Sequence, residues 1–259
     1  QARWNGAYMC GIIGYSGPKE PLPILIGGLS RLEYRGYDSA GVAILDGEKL
    51  TIEKKEGKLQ ILKDHLENSK INGNIGIGHT RWATHGVPND VNAHPHSDNQ
   101  KEFAIIHNGI IENYAEMKDD LLKEDFIFES DTDTEVVAVE LGNQWTGRLL
   151  ETVTNVAKKL DGTYALVVTS TKEPGTIVAG RMMSPLVLGV GEGETFLASD
   201  SAAILEHTNK MIFLENGDFV EITNGEFKLF DINMNEISRE IQEIDWKVSE
   251  AEKSGYDHF

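Results

Sequence analysis

The sequence predicts an α+β fold with mainly antiparallel sheets. Three observations carry this: β-rich and helical runs come in blocks, the strict strand-helix alternation of a parallel sheet is missing, and an Asn224-Gly225 pair inside a β-rich region favours a hairpin.

The first strand is predicted over 11–15, around Ile12-Ile13. A helix over 21–32 follows, because Leu22, Leu25, Ile26, Leu29 and Leu32 recur at helical spacing and Pro21 suits a first turn. Short β-rich runs at 41–45, 75–79 and 103–107 are separated by turn-rich segments and read as sheet. Residues 133–145 and 149–160 read as consecutive helices, the first opened by Asp131-Thr132-Asp133, whose short side-chain oxygens suit an N-cap. Strands are expected again at 164–169, 176–179, 186–190 and 195–198, then a short helix near 201–206 and a β-rich region over 211–230. The polar tail "SEAEKSGYDHF" closes no element and suggests a chain cut from something longer.

With 259 residues, 40% of them hydrophobic, the chain is long enough to bury a core as one large domain or two small ones. A formal net charge of −18 argues against nucleic acid and anionic membrane as partners, since both attract clustered Lys and Arg. A small-molecule substrate fits better. The lone cysteine, Cys10, can form no intramolecular disulfide, and no Asn-x-Ser/Thr sequon occurs, so the reading is a cytoplasmic protein. No apolar run approaches the roughly 18 residues of a spanning helix. The N-terminus lacks the basic-then-apolar pattern of a signal peptide.

Four polar stretches each carry several functional side chains beside glycine: "EYRGYDSAG" (33–41), "GHTRWATHG" (78–86), "HNGIIEN" (107–113) and "SDTDTE" (130–135). Any one of them alone reads as turns and caps. Together with a single cysteine they suggest a catalytic constellation. A nucleophilic cysteine needs its thiol proton removed and donors for a tetrahedral oxyanion. His79, His85, His94, His96 and His107 are candidate bases for a Cys-His hydrolase. A cysteine at a chain terminus offers a second solution, its own α-amine, with a pKa of about 7.7.

The stretches "CGIIGY", "LEYRGYDSAG", "GHTRWATHG", "NAHPH", "HNGIIENY" and "SDTDTEV", in that order, resemble the N-terminal glutaminase domain of the glutamine-fructose-6-phosphate aminotransferases, class II glutamine amidotransferases of the N-terminal-nucleophile hydrolase fold. The resemblance runs from Cys10 to about residue 250. It implies a four-layer αββα sandwich, two mainly antiparallel sheets flanked by helices. It also implies attack of Cys10 on the side-chain amide of L-glutamine, with the cysteine α-amine as base and the Asn108 side chain and Gly109 backbone N–H as oxyanion donors. Arg81 matches the residue for the substrate α-carboxylate and Asp133 the acceptor for the α-ammonium. Trp82, Thr84, His85 and Gly86 match a flap over the substrate, and Arg35 a supporting position near the nucleophile. No cofactor and no metal are implied. The implied partner is a C-terminal sugar-phosphate isomerase domain that receives ammonia for glucosamine 6-phosphate synthesis from fructose 6-phosphate, in a full-length homodimer.

Each assignment has a plainer alternative. Asp133 caps a helix, Trp82 packs in a core, and the pairs His79/His85 and His94/His96 hold zinc. The "GVGEG" stretch at 189–193 reads as strand and turn rather than a phosphate loop. The chain departs from the family pattern at both ends. Residues 1–9 precede the cysteine, so they are expected to be an extension that replaces the basic amine by an amide; 10–240 would be the glutaminase domain, and 241–259 a linker towards a missing isomerase domain. The competing functions are a latent, noncatalytic glutamine-binding module, the glutaminase domain of another class II amidotransferase, and a Cys-His hydrolase independent of the N-terminus.

Overall fold

The computed structural model describes residues 10–67, 69, 71–83 and 86–245. In chain order the first half holds β1 (Gly11–Ser16), α1 (Pro21–Leu32), β2 (Ser39–Asp46), β3 (Lys49–Glu56), α2 (Leu59–Leu66), β4 (Ile75–Arg81), β5 (His96–Ser97), β6 (Phe103–Ile111) and α3 (Tyr114–Lys123). The second half holds α4 (Asp133–Asn143), α5 (Leu149–Ala157), β7 (Gly162–Ser170), β8 (Thr176–Met182), β9 (Val187–Val190), β10 (Thr195–Ala198), β11 (Lys210–Phe213), β12 (Phe219–Thr223), β13 (Glu226–Phe230), β14 (Glu236–Ile237) and β15 (Gln242–Glu243). The strands form two sheets: β15, β11, β9, β10, β1, β4, β2, β3 in spatial order, and β14, β13, β12, β8, β7, β6, β5. All the named pairings are antiparallel.

The layering follows from what each strand buries. Successive side chains of a strand point to opposite faces, and here both faces are apolar. In β1, Ile12 packs with Ile77, Ile106 and Val167 between the two sheets, while Ile13 and Tyr15 pack against Leu25 and Leu29 of α1 on the outside. In β6, Ala104 and Ile106 face the other sheet, while Phe103 and Ile105 pack on Val137 of α4 and Val153 of α5. Each of these large side chains is fully buried, worth roughly 1.5–3 kcal/mol apiece. Two buried faces per strand require a helical layer outside each sheet, which gives the αββα sandwich.

Local chemistry sets the element ends. The β12–β13 hairpin turns at Asn224-Gly225, whose φ values of 50° and 84° are both positive, as a type I′ turn requires. Thr132, not Asp133, caps α4: its hydroxyl accepts from the Glu135 N–H at 3.3 Å. The helix near 201–206 shrinks to a single 3₁₀ turn, Ser201–Ala203, capped by Asp200. Beyond the expected set lie β3, α2 and α3, together with the two-residue strands β5, β14 and β15. Among the described residues no helix is long and apolar enough to cross a membrane.

Candidate active site

The rows of inward-facing residues that build the inter-sheet core turn polar at one end of the sandwich. In β4 the row Ile75, Ile77 continues as His79 and Arg81; in β6 the row Ala104, Ile106 continues as Asn108; ahead of β1, Ile12 is preceded at the same parity by Cys10. These positions meet the N-terminus of α4 and the start of β7. Together they line a cleft of about 170 Å³ that contains Cys10, Arg81, Trp82, Asn108, Gly109 and Asp133. A larger cavity of about 470 Å³ lies elsewhere, lined by Leu50, Ile52, Lys54 and Glu135. It lacks the thiol, so cysteine chemistry belongs to the smaller cleft.

Cys10 is half-buried, and its sulfur accepts from the Trp82 backbone N–H at 3.2 Å. Burial pushes the thiol pKa up, opposed by the Trp82 hydrogen bond and the nearby Arg81 charge. The resting sulfur is therefore a thiol, and attack requires a base. The described histidines are engaged elsewhere. His79 Nε2 bonds Asn108 Oδ1 at 2.8 Å, His94 Nε2 and His107 Nδ1 both meet Thr134 Oγ1, and His96 Nε2 meets Thr132 Oγ1. Burial holds His79, His94 and His96 below the ordinary histidine range, His79 at about 3. The sulfur's hydrogen bonds run to the Trp82 backbone, and no three metal-ligating side chains converge among the described residues.

The donors and charges are placed as follows. Asn108 Nδ2 donates to the Cys10 carbonyl at 2.9 Å, leaving its second N–H for the cleft. Gly109 has φ 132°, a conformation that favours glycine, and a Cβ there would meet the Thr163 carbonyl oxygen at 2.0 Å. Arg81 is 3% exposed, and burial lowers its pKa against the opposing charges of Asp38 and Asp133. Asp133 sits in the first turn of α4, where the helix dipole favours a carboxylate, and its Oδ2 accepts from the Ile111 N–H at 2.9 Å.

Trp82 is 39% exposed at the cleft rather than packed in a core. Gly86 follows it, with φ 73° and its carbonyl accepting from Arg81 Nη2 at 3.4 Å; a Cβ would lie 2.6 Å from Asn92 Nδ2. Thr84 and His85 lie outside the described residues. Arg35 is not in the cleft. It bonds Tyr34, Ser199 and Asp200, and Ser199 Oγ accepts from the Ile12 N–H at 3.0 Å, so Arg35 braces β1 two residues beyond the thiol. Two contributors escaped the sequence reading. Asp38 accepts from the Ala83 N–H at 2.6 Å and so fixes the chain after Arg81, and Thr134 joins two histidines in the cleft wall. The aspartate lay in plain view inside "EYRGYDSAG", with nothing in the pattern to say what it faces.

Residues 64–248 match the family model described as a glutamine amidotransferase domain. The chain belongs to that family. Among curated relatives of this amidotransferase domain, the glutamine-fructose-6-phosphate aminotransferase (isomerizing) of Aquifex aeolicus is 48% identical over 251 residues, covering 97% of this chain and 42% of its own length. That of Clostridium perfringens is 49% identical, with 97% of this chain and 41% of its own length covered. The chain thus spans about two fifths of the length of these relatives. A solved structure, the glutamine phosphoribosylpyrophosphate amidotransferase of B. subtilis, superposes with a TM-score of 0.76 at 29% identity, covering 88% of this chain and 50% of its own. The expected α+β sandwich of two antiparallel sheets is borne out by the topology and by this likeness.

Proposed function

We propose that this glutamine amidotransferase domain hydrolyses L-glutamine at Cys10. The observation that carries the reading is the convergence of one thiol, two neutral oxyanion donors and one charge of each sign in a single cleft. Arg81, with its bidentate fork, binds the substrate α-carboxylate, and Asp133 the α-ammonium. Fixing both charged groups of the α-carbon leaves the side chain to carry its γ-amide to the sulfur. The Cys10 sulfur attacks the amide carbon as its proton is removed, and the oxyanion takes N–H groups from Asn108 and Gly109. Collapse of the tetrahedral intermediate expels the amine, which takes up the proton as ammonia. Water then cleaves the thioester to glutamate.

The base in this reading is the α-amine of Cys10 itself, exposed once residues 1–9 are removed. The raised thiol pKa and the engaged histidines support that choice. Trp82, Thr84, His85 and Gly86 form a flap over the substrate, and Arg35 supports the nucleophile through Ser199. By likeness to the longer relatives, residues 10–240 are the glutaminase domain and 241–259 lead towards a sugar-phosphate isomerase domain. That domain uses the ammonia to make glucosamine 6-phosphate from fructose 6-phosphate in a cytoplasmic homodimer. The test is glutamate release from glutamine by two versions of the chain, one of 259 residues and one processed to begin at Cys10. Turnover by the processed version alone supports the terminal amine as base; equal turnover by both overturns it.

A further inference from the structure

We propose that His79 is a positioning residue for glutamine hydrolysis, dictating which end of the Asn108 carboxamide faces the thiol; this rests on the oxyanion role of Asn108 proposed above. An Asn side chain has a donor end and an acceptor end of nearly the same shape. Turned one way, Asn108 offers an N–H to a developing oxyanion. Turned by 180°, it offers a carbonyl oxygen, which repels that charge. Packing alone does not discriminate between the two, so hydrogen bonding must.

Two contacts make the choice. Cys10 carbonyl oxygen can only accept, so Nδ2 lies beside it at 2.9 Å. On the other side, His79 Nε2 lies 2.8 Å from Oδ1, and since Oδ1 can only accept, the His79 proton is on Nε2. The opposite tautomer would present a bare lone pair at Nε2, which would draw Nδ2 towards His79 and away from the thiol. The Nε2 contact and the Cys10 carbonyl therefore together favour the productive amide orientation.

The ring itself is held. His79 is fully buried, its centroid lies 4.3 Å from that of His94, and His94 Nε2 bonds Thr134 Oγ1 at 2.8 Å. His79 belongs to β4 in one sheet and Asn108 to β6 in the other, so the bond also spans the sandwich at the cleft end.

The test compares His79→Leu, which removes the donor, with His79→Gln, whose amide reaches about as far as Nε2. Both are measured for kcat and KM with glutamine, for glutamate affinity, and for affinity towards glutamate γ-semialdehyde. Cys10 sulfur adds to that aldehyde carbon, the C=O π pair moves to oxygen, and oxygen takes the thiol proton, which gives a tetrahedral adduct with no leaving group. The chain is used both at 259 residues and processed to begin at Cys10.

The expected result for His79→Leu is a loss in kcat of about 10²–10³-fold, the cost of one oxyanion donor. Aldehyde affinity falls in parallel, while KM and glutamate affinity stay within about threefold, and His79→Gln regains at least about tenfold in kcat. Retention of kcat in folded His79→Leu, or a joint loss of glutamate affinity and kcat in both variants, overturns the proposal. If His79→Leu does not fold, His79→Asn replaces it, because that amide stops short of the Nε2 position. If the parent chain neither hydrolyses glutamine nor binds the aldehyde, the reading of Asn108 fails and this inference with it; an active parent and an equally active His79→Leu defeat only the inference.

Discussion

Gly109→Ala is the sharpest single perturbation of the proposed oxyanion site. The added methyl would lie 2.0 Å from the Thr163 carbonyl oxygen and 2.7 Å from its carbon, across the β6–β7 ladder. To open that contact even to 3.0 Å, the tightest approach a Cβ makes, the two strands must part by about 1 Å (3.0 − 2.0). Oxyanion donors act at about 2.7–3.1 Å, so a shift of that size takes the residue 109 N–H out of range and should lower kcat by about 10²–10³-fold. The φ of 132° adds strain for alanine, of order 1–3 kcal/mol, and at roughly 2–4 °C per kcal/mol the melting temperature should fall by about 2–12 °C. Gly217→Ala is the control, since its φ is also positive, at 85°, but nothing lies within 4 Å of the new methyl. That variant should lose at most about 1–2 kcal/mol and keep full activity. The assay is glutamate release at saturating glutamine, with calorimetry on each variant. A Gly109→Ala protein that keeps kcat within about threefold would refute the reasoning.

Arg81→Lys replaces a planar fork by a point charge and should raise KM for glutamine about ten- to hundredfold, the equivalent of one charged hydrogen bond, with kcat nearly unchanged; steady-state kinetics decide. Thr132→Val removes the α4 cap and the His96 contact and should cost about 1–2 kcal/mol in urea unfolding; an unchanged midpoint would contradict the capping role. The buried neutral histidines set an acid limit. Because His79, His94 and His96 have folded pKa values lowered by burial, the unfolded chain binds more protons below pH 6.5, so stability falls as pH drops from 6.5 towards 3. The loss grows as pH falls, because each of the three takes up a proton on unfolding that it does not bind in the fold. Urea midpoints at pH 7.5 and 5.5 measure this, and a flat profile would contradict it.

Much of the sandwich was legible because its signals are local. The helix over 21–32 has proline at its start and an apolar stripe, and it matches α1 residue for residue. Asn224-Gly225 turns as its composition requires. The missed elements carry weaker patterns. Strand β3, KLTIEKKE, lies at a sheet edge with its side chains only part-buried, and its charges mask the alternation of Leu50 and Ile52. Helix α3 buries only Leu121, and therefore shows almost no apolar stripe. In α2, Leu59, Leu62 and Leu66 do carry helical spacing, over a run too short to stand out from its neighbours.

The site was legible at the level of which stretches matter and opaque in how they touch. Cys10, Arg81, Asn108, Gly109 and Asp133 do share one cleft, although they come from four separate stretches. Asp133 was ambiguous in sequence between cap and ligand, because adjacent Thr and Asp offer the same oxygen chemistry; only the geometry gives the cap to Thr132 and turns Asp133 to the cleft. Contacts such as His79 to Asn108 between the sheets, and Arg35 through Ser199 to Ile12 along one of them, follow from register and layer stacking, which strand periodicity does not encode. The parity of each row was the available clue: apolar inward positions give way to His79, Arg81 and Asn108 at the same end of both sheets.

The most direct measurement is mass analysis of the chain processed to begin at Cys10, mixed with glutamine and quenched in acid within a turnover. The expected result is one glutamyl group on the peptide containing Cys10, with ammonia exceeding released glutamate by the amount of that adduct, and no adduct or turnover in Cys10→Ala although glutamine still binds. Glutamine hydrolysis that persists in Cys10→Ala would contradict the assignment of the reaction to this cleft.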